Sequence, residues 1–278
     1  MEIRRLTNKD RAALLHTLNG AFADYIVPFQ LDVEQLQFKM ASEDVLPEYS
    51  AGVFDAGKLI AFIMHGFRTA TGKKIMYNAG TGTLPAYRGN GLVGKMYDYL
   101  LPFLKAQEIS QLVLEVIENN QRAIRAYEKN GFSIRRKLLC FAGTLQVSTA
   151  PDIYTVLPLH TLDWGILRSF WDIEPAWQNA IATMDNIQPK AFGAFAGDEL
   201  IGYILFNPDK KRLYQLAVAP RHRRKGVATQ LLKHMQEALP QQKIQWNNVE
   251  EAATGLKLFL EKQGLANTLN QFEMIKNL

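Results

Sequence analysis

Apolar and polar positions divide the chain into short strands and amphipathic helices, in an order that runs twice. In the first half the pattern predicts strands over 2–6, 49–54, 58–67 and 74–83. A helix with apolar residues every three to four positions follows over 92–107, then a buried strand over 111–117 and a last strand over 132–141. Thr7 or Asn8 caps a first helix that runs to about Leu18 and is stopped by Asn19-Gly20. A second helix covers 31–40, and Asn119 or Asn120 caps a further one that ends at Asn130-Gly131. The second half repeats the order in shorter form. Strands are predicted over 154–159, 191–195, 200–207, 214–219 and 243–246, with helices over 163–170, 175–183, 226–239 and 251–262.

Two glycine-punctuated basic turns stand at corresponding places in the two halves. They read Arg88-Gly89-Asn90-Gly91-Leu92-Val93 and Arg223-Arg224-Lys225-Gly226-Val227-Ala228. Each follows an apolar strand ended by a proline, Pro85 or Pro220, and each opens a helix. A helix that opens on glycine presents unpaired N–H groups and the positive end of its dipole, which together bind phosphate or pyrophosphate. Arg88 to Arg223 is a step of 135 and Gly131 to Gly264 a step of 133, so two landmarks recur at almost one offset. That recurrence argues for an internal duplication. The polar link Ser148-Thr149-Ala150-Pro151 places the boundary near 144–152, giving expected domains of 1–145 and 146–278.

These turns, with the residues that follow them, resemble the GNAT superfamily of N-acetyltransferases, here in tandem. The family's acyl-CoA loop runs Arg or Gln, two residues, Gly, one residue, then Gly or Ala. Arg223, Gly226 and Ala228 match it fully, whereas the first copy gives Arg88, Gly91 and then Val93. A second family motif is present in the first half as Leu114-Glu115-Val116, Asn119-Asn120, Ala123, Tyr127 and Gly131-Phe132. In the second half Ala252, Ala253 and Leu260 fill the positions of the two asparagines and the tyrosine. The resemblance implies an α/β fold of two GNAT-like domains, each a mixed, mostly antiparallel sheet flanked by helices. It implies acetyl transfer from acetyl-CoA to a primary amine of a small molecule or peptide. The resemblance makes Tyr127 the acid for the departing thiolate; Glu115, inside the strand over 111–117, and His65, inside that over 58–67, are rival candidates for the base, and a path through water is open as well. It assigns cofactor contacts to Thr83, Leu84, Arg88, Gly89, Asn90, Gly91, Leu92, Val93 and Asn119 in the first half. In the second half it assigns them to Ala217, Val218, Arg223, Arg224, Lys225, Gly226, Val227 and Ala228. Backbone N–H groups near Thr83 and Leu84 are expected to polarise the thioester carbonyl, and Asp24, Tyr25 and Phe29 lie where such enzymes shape the acceptor pocket. The motif asymmetry assigns the chemistry to the first half and leaves the second as a cofactor-binding or degenerate copy. A non-catalytic acyl-CoA-binding regulator is the alternative.

Composition changes this picture little. The 278 residues are 47% hydrophobic and 21% charged, ordinary for a soluble globular chain. Net charge is +5, which suits a phosphorylated cofactor. The basic clusters at 210–212 and 221–225 are not interleaved with aromatics, which disfavours nucleic acid. The one cysteine, Cys140, has no disulfide partner in the chain and reads as core, and the first residues carry no apolar leader. A cytoplasmic protein is therefore expected. No run is apolar enough to cross a bilayer, no spacing suggests a metal, and a homodimer stays open.

Overall fold

The computed structural model describes residues 1–70, 72–147, 152–239 and 242–278. The expected link at Ser148-Thr149-Ala150-Pro151 lies outside the described residues. The chain forms two compact units, one of Met1–Arg136 with Phe272–Leu278 and one of Lys137–Gln271.

The first unit contains β1 (Glu2–Arg5), α1 (Arg11–Ala21), α2 (Val33–Ser42), β2 (Ala51–Asp55), β3 (Lys58–Ala70) and β4 (Lys73–Thr83). After them come α3 (Leu92–Ala106), β5 (Gln111–Ile117) and α4 (Gln121–Lys129). The strands stand in the order β1-β2-β3-β4-β5. β1 to β4 pair antiparallel, and β4 pairs parallel with β5. Leu92, Met96, Tyr97, Leu100 and Leu104 form one face of α3, at the 3.6-residue spacing of the sequence pattern. That face packs on Val53, Ile63, Met76, Leu112 and Leu114 of four strands. At the start of α2, Asp32 and Gln35 cap each other, with bonds of 2.7 and 3.0 Å, which fixes where the helix begins.

Asn19-Gly20 does not stop α1, which runs on to Ala21. The Asn19 carboxamide instead holds both backbone groups of Leu31, at 2.8 and 2.9 Å. A Cβ on Gly20 would come within 2.8 Å of the Leu84 side chain, so the glycine serves a close approach there.

The second unit contains most of β6 (Ser133–Thr144), then β7 (Thr155–Pro158), α5 (Trp164–Arg168), α6 (Ile181–Ile187), β8 (Lys190–Ala196) and β9 (Glu199–Asn207). It continues with β10 (Arg212–Val218), α7 (Val227–Ala238), β11 (Lys243–Glu250) and α8 (Thr254–Lys262). Its strands run β6-β11-β10-β9-β8-β7, with β10 and β11 parallel. Leu231, Leu232 and Met235 of α7 pack on Ile201, Ile204, Phe206 and Leu213. The helix expected over 175–183 is a 3-10 turn, Trp177–Asn179, followed by α6. β11 extends past its expected end to Glu250 and breaks register between Trp246 and Val249, where Asn248 takes φ +63°.

A last strand, β12 (Ala266–Asn277), has no counterpart in the sequence reading, and it makes the first unit discontinuous. A linear division at 145 therefore differs from the folded units. In the first unit the returning residues contribute Met274, fully buried in the core, and Glu273, 2% exposed. The Glu273 carboxylate accepts two bonds from Arg136, at 2.8 and 2.9 Å, and Leu278 N–H donates to Ser110 O at 3.0 Å.

A chain ending at Gln271 should lose stability in its first unit. Met274→Ala alone is expected to cost about 2–5 kcal/mol, the range for truncating a buried large side chain. Urea unfolding of both variants measures this, and midpoints equal to that of the full chain would contradict it.

Candidate functional site

In the first unit the parallel ladder between β4 and β5 runs from Ile75↔Gln111 to Asn78↔Leu114, yet β4 continues to Thr83 and β5 to Ile117. The parting coincides with a β-bulge. Asn78 pairs with His65 and Gly80 with Met64, which leaves Ala79 as the extra residue on β4. The Asn78 carboxamide fills in, accepting from Gly80 N–H at 3.0 Å. The opening thus lies at the carboxyl ends of two parallel strands, where open α/β sheets bind ligands.

A polar cluster stands at this opening. Asn78 Nδ2 donates to Thr81 Oγ1 at 2.7 Å and to Tyr97 Oη at 2.9 Å. The Tyr127 hydroxyl, carried by α4, meets the Thr81 hydroxyl. Burial pushes the Tyr127 pKa up to about 12, and the Thr81 hydrogen bond works against it. The α4 helix is set by Asn120, whose Oδ1 accepts from Ala123 N–H at 3.2 Å. The Asn120 side chain also meets the Tyr25 hydroxyl, whose pKa burial raises. Tyr25 lies close enough to Tyr127 for the two to interact electrostatically. Asn119 is exposed beside the cap.

The glycine turn leads from β4 into α3. Gly89 has φ +85° and Gly91, at the helix N-cap, has φ +67°, both in the region glycine favours. A Cβ at either would meet nothing within 4 Å, so the turn faces open space. Leu92 is buried in the core and Val93 packs against it, away from that space, so the departure from a small residue at Val93 does not crowd the turn. The Asn90 side chain donates to Tyr87 O at 3.1 Å. The Arg88 guanidinium does not face the turn. It makes two bonds of 2.6 Å to Asp24, and further bonds to Thr83 O at 3.2 Å and Ala21 O at 2.9 Å. Leu84 N–H donates to Ile60 O at 2.9 Å, so it is not free to polarise a carbonyl, and that expected role is corrected.

The two candidate bases stand in other surroundings. Glu115 Oε2 accepts from the Tyr77 hydroxyl at 2.8 Å. His65 is fully buried, its Nδ1–H donating to Tyr49 O at 2.9 Å and its ring 6.2 Å from that of Tyr97. Burial pushes its pKa down to about 4, and the bond to Tyr49 only partly offsets this.

In the second unit the turn has the same backbone course. Arg88 and Arg223 both have φ −68°, ψ 154°, the next residue has positive φ (Arg224, +61°), and Gly226 caps α7 at φ +89°. Arg223 again turns away, to Asp172 at 2.7 Å, Phe170 O at 2.9 Å and Val218 O at 3.0 Å. Ala217 and Val218 end β10, and Val227 and Ala228 pack on the second core. Here too the turn lies at the surface, Arg224, Lys225 and Gly226 all being exposed. The Tyr154 hydroxyl donates to Lys225 O at 3.2 Å, and the Ile153 side chain lies 4.0 Å from where a Cβ on Gly226 would stand. The opening, by contrast with the first unit, is bridged. β10 and β11 pair at Arg212↔Gln245, and beyond that point Asn179 O accepts from Gln215 on β10 while its Nδ2 donates to Asn247 O on β11 at 2.7 Å. Leu260, fully buried, takes the place of Tyr127, and Ala253 leaves α8 without a side-chain cap.

Asn78, Thr81 and Asn179 escaped the sequence reading because no residue type or spacing marks them. Asp24 was read as an acceptor-pocket residue, but its pairing with Arg88 was not. The two aspartates stand 148 apart against 135 for their arginines, so the repeat does not align them. Among the described residues no group of three or more His, Cys, Asp or Glu side chains is placed to hold a metal ion. Among the same residues no helix is long and apolar enough to cross a membrane.

The model of the acetyltransferase (GNAT) family matches residues 15–132 and again 156–265. Among solved structures, a GCN5-related N-acetyltransferase from Sphaerobacter thermophilus aligns at TM-score 0.74 and 13% identity, covering 99% of this chain and 95% of that one. A putative acetyltransferase from Pyrococcus horikoshii aligns at 0.71 and 15%, covering 100% and 89%. A tandem GNAT protein from the clavulanic acid biosynthesis pathway aligns at 0.70 and 13%, covering 99% and 98%. These likenesses extend over both units and concern the fold. No curated protein matches the chain.

His65 makes the first unit acid-sensitive in a defined window. Its folded pKa, about 4, lies below the ordinary 6.5, so the unfolded chain binds more protons between those values. Stability from this group is present above pH 6.5 and is lost as pH falls toward 4, by about 3 kcal/mol in total. Urea unfolding of wild type and His65→Gln across that window measures the difference in slope, and identical slopes would contradict it.

Proposed function

This chain belongs to the acetyltransferase (GNAT) family, and from that premise we propose that it transfers an acetyl group from acetyl-CoA to a primary amine of a small molecule or peptide, with the chemistry in its first unit. One observation carries the reading: the Tyr127 hydroxyl stands at the opening between β4 and β5, in the unit whose glycine turn faces open space.

The residues present fit the cofactor. Gly89 and Gly91 leave the room that a pyrophosphate needs, and the first N–H groups of α3, from Leu92 and Val93, lie at the positive end of its dipole. Past Asn78 and Leu114 the facing edges of β4 and β5 no longer pair with each other, which suits the amides of a pantetheine arm. Asn119 is exposed beside this opening and offers a further amide. Arg88 contributes its backbone to the turn, its guanidinium being taken by Asp24.

Acetyl-CoA supplies the activated acyl group as a thioester. The chain supplies proton control and placement. The amine nitrogen bonds to the acyl carbon as the carbon–sulfur bond breaks, one proton leaves the nitrogen and one is needed at sulfur. Tyr127 Oη holds the second proton. With a pKa near 12 it stays protonated at neutral pH and can still give its proton to a thiolate. Glu115 is our candidate for the base, taking the amine proton through water while Tyr77 holds its other side. His65, buried and neutral, is better explained as core. Holding the two reactants together supplies much of the remaining rate.

The second unit is proposed as a scaffold without chemistry. Leu260 has no proton to give, and Asn179 already bridges β10 and β11.

Tyr127→Phe should keep acetyl-CoA affinity and lower turnover by about ten- to a thousand-fold, read as free thiol released over an amine panel. Full turnover would make Tyr127 a core residue only. Gly91→Glu should abolish acetyl-CoA binding in calorimetric titration, because a carboxylate would stand where phosphate binds, while Gly226→Glu leaves it intact. The reverse pattern would move the site to the second unit.

A further inference from the structure

The polar groups behind the opening of the first unit form one largely buried set, and the second unit carries an apolar residue at each of its positions. Gly80 N–H donates to Asn78 Oδ1 at 3.0 Å, which fixes the carboxamide with Nδ2 toward Thr81 and Tyr97. One Nδ2 proton goes to Thr81 Oγ1, at 2.7 Å, and the other to Tyr97 Oη, at 2.9 Å. The Thr81 hydroxyl therefore receives from Asn78, and its own proton has two acceptors, Asn78 Oδ1 at 3.1 Å and Tyr127 Oη. His65 stands directly across from Asn78 in the ladder of β3 and β4. Tyr49 O can only accept, so His65 Nδ1 carries the proton between them and Nε2 is an acceptor. That Nε2 is buried and has no hydrogen-bond partner among the described residues. The Tyr97 ring lies 6.2 Å from the imidazole, and its hydroxyl proton is not used on Asn78. Phe132 packs on Tyr97 and on Tyr127, with ring centroids 5.5 and 5.8 Å apart.

The counterparts in the second unit follow from the strand register. Asn78 precedes the bulge residue Ala79 as Leu213 precedes Tyr214, and His65 pairs with Asn78 as Phe206 pairs with Leu213. The step of 135 that separates the two glycine turns also takes Thr81 to Leu216 and Tyr97 to Leu232. Leu260 stands in place of Tyr127. Phe206, Leu213, Leu216, Leu232 and Leu260 all belong to the second core. Three hydroxyls, an amide and an imidazole in one unit are thus matched by five apolar side chains in the other. Apolar residues pack at such positions without the desolvation cost of buried polar groups, so stability alone does not call for the polar set. The five positions differ together, and the hydroxyl of Tyr127 is one of them.

We propose that Thr81, Asn78, Tyr97 and His65 are positioning residues for Tyr127, one network that holds its hydroxyl at the opening and supplies a donor to its oxygen as the proton leaves. The proposal rests on the acetyl-CoA reading for the step it serves. In that step the amine nitrogen bonds to the acyl carbon, the carbon–sulfur bond breaks and the amine proton goes to the base. Tyr127 Oη gives its proton to sulfur, and the negative charge passes to Oη until solvent returns a proton. A donor already placed on that oxygen stabilises the charge as it develops. Thr81 provides the donor, and its bond works against the burial that makes Tyr127 a weaker acid. Asn78 keeps the Thr81 proton available by giving its own proton to Thr81 Oγ1. His65 Nε2 completes the network as the acceptor for the Tyr97 proton, directly or through a buried water.

Steady-state kinetics of four full-length proteins tests this: wild type, Thr81→Val, Tyr127→Phe and the two changes together, with acetyl-CoA and free thiol read over the amine panel. Valine keeps the shape of threonine and removes the hydroxyl. Thr81→Val should lower kcat by about ten- to a hundredfold with the acetyl-CoA KM within about threefold of wild type. Thr81→Ser should restore kcat to within about threefold of wild type, since it returns the hydroxyl. Added to Tyr127→Phe, Thr81→Val should change kcat by less than about twofold, because the hydroxyl it serves has gone. Losses of equal size in both backgrounds would mean that Thr81 acts through packing alone, and they overturn the proposal. Full turnover in Thr81→Val overturns it too. If wild type releases no thiol with any amine, the acetyl-CoA reading fails, and urea unfolding of the same four proteins decides the network separately. A double variant whose midpoint shift is clearly smaller than the sum of the single shifts sustains the link between the two hydroxyls, and additive shifts remove it.

Discussion

Two parallel strands that pair for only part of their length set the terms for the rest of the first unit. β4 and β5 are held together from Ile75 to Asn78 and then part at the Ala79 bulge. Each strand must go on to a helix, and the two helices start where backbone groups are unpaired. One start is the glycine turn before α3, the other the Asn120 cap of α4. The parting thus places a glycine-capped helix end and the tyrosine-bearing helix at one opening. Asn78 makes the break tolerable, because its carboxamide satisfies Gly80 N–H and steadies Thr81 and Tyr97.

The second unit shows what happens when the same frame is kept and the opening is closed from within. Its bulge falls at Tyr214, as far along from Ala79 as Arg223 is from Arg88. The turn keeps its backbone course and the pairing of its arginine with an aspartate. The differences lie in a few side chains: Asn179 bridges the parted strands and Leu260 stands where the first unit has a tyrosine hydroxyl. The frame is shared by the two units while a handful of side chains at the opening differ, since packing constrains the frame and leaves those positions free to vary.

Much of this was legible in the sequence, for identifiable reasons. α3 was read within one residue, because its buried face repeats every 3.6 positions, and β5 was read at its true bounds as a short apolar run. The glycine turns are legible because positive φ at the helix caps Gly91 and Gly226 favours that residue type. β12 was not, because the stretch from Asn267 to Glu273 is mostly polar and its inward positions, Glu273 and Met274, show no alternation. Arg88 was legible as a landmark but not in its role. A motif fixes that an arginine is needed, whereas its partner Asp24 comes from a loop whose length differs between the two halves. Asn179 was illegible for the same reason, since only the folded chain brings it between β10 and β11.

The account stands most directly on where the cofactor lies. A crystal structure of the full chain grown with coenzyme A would show it. One molecule is expected per chain, with its pyrophosphate at the N-terminus of α3, its arm between β4 and β5, and its sulfur facing Tyr127 Oη. Coenzyme A seated between β10 and β11, or bound in the first unit with its sulfur turned away from Tyr127, would contradict it.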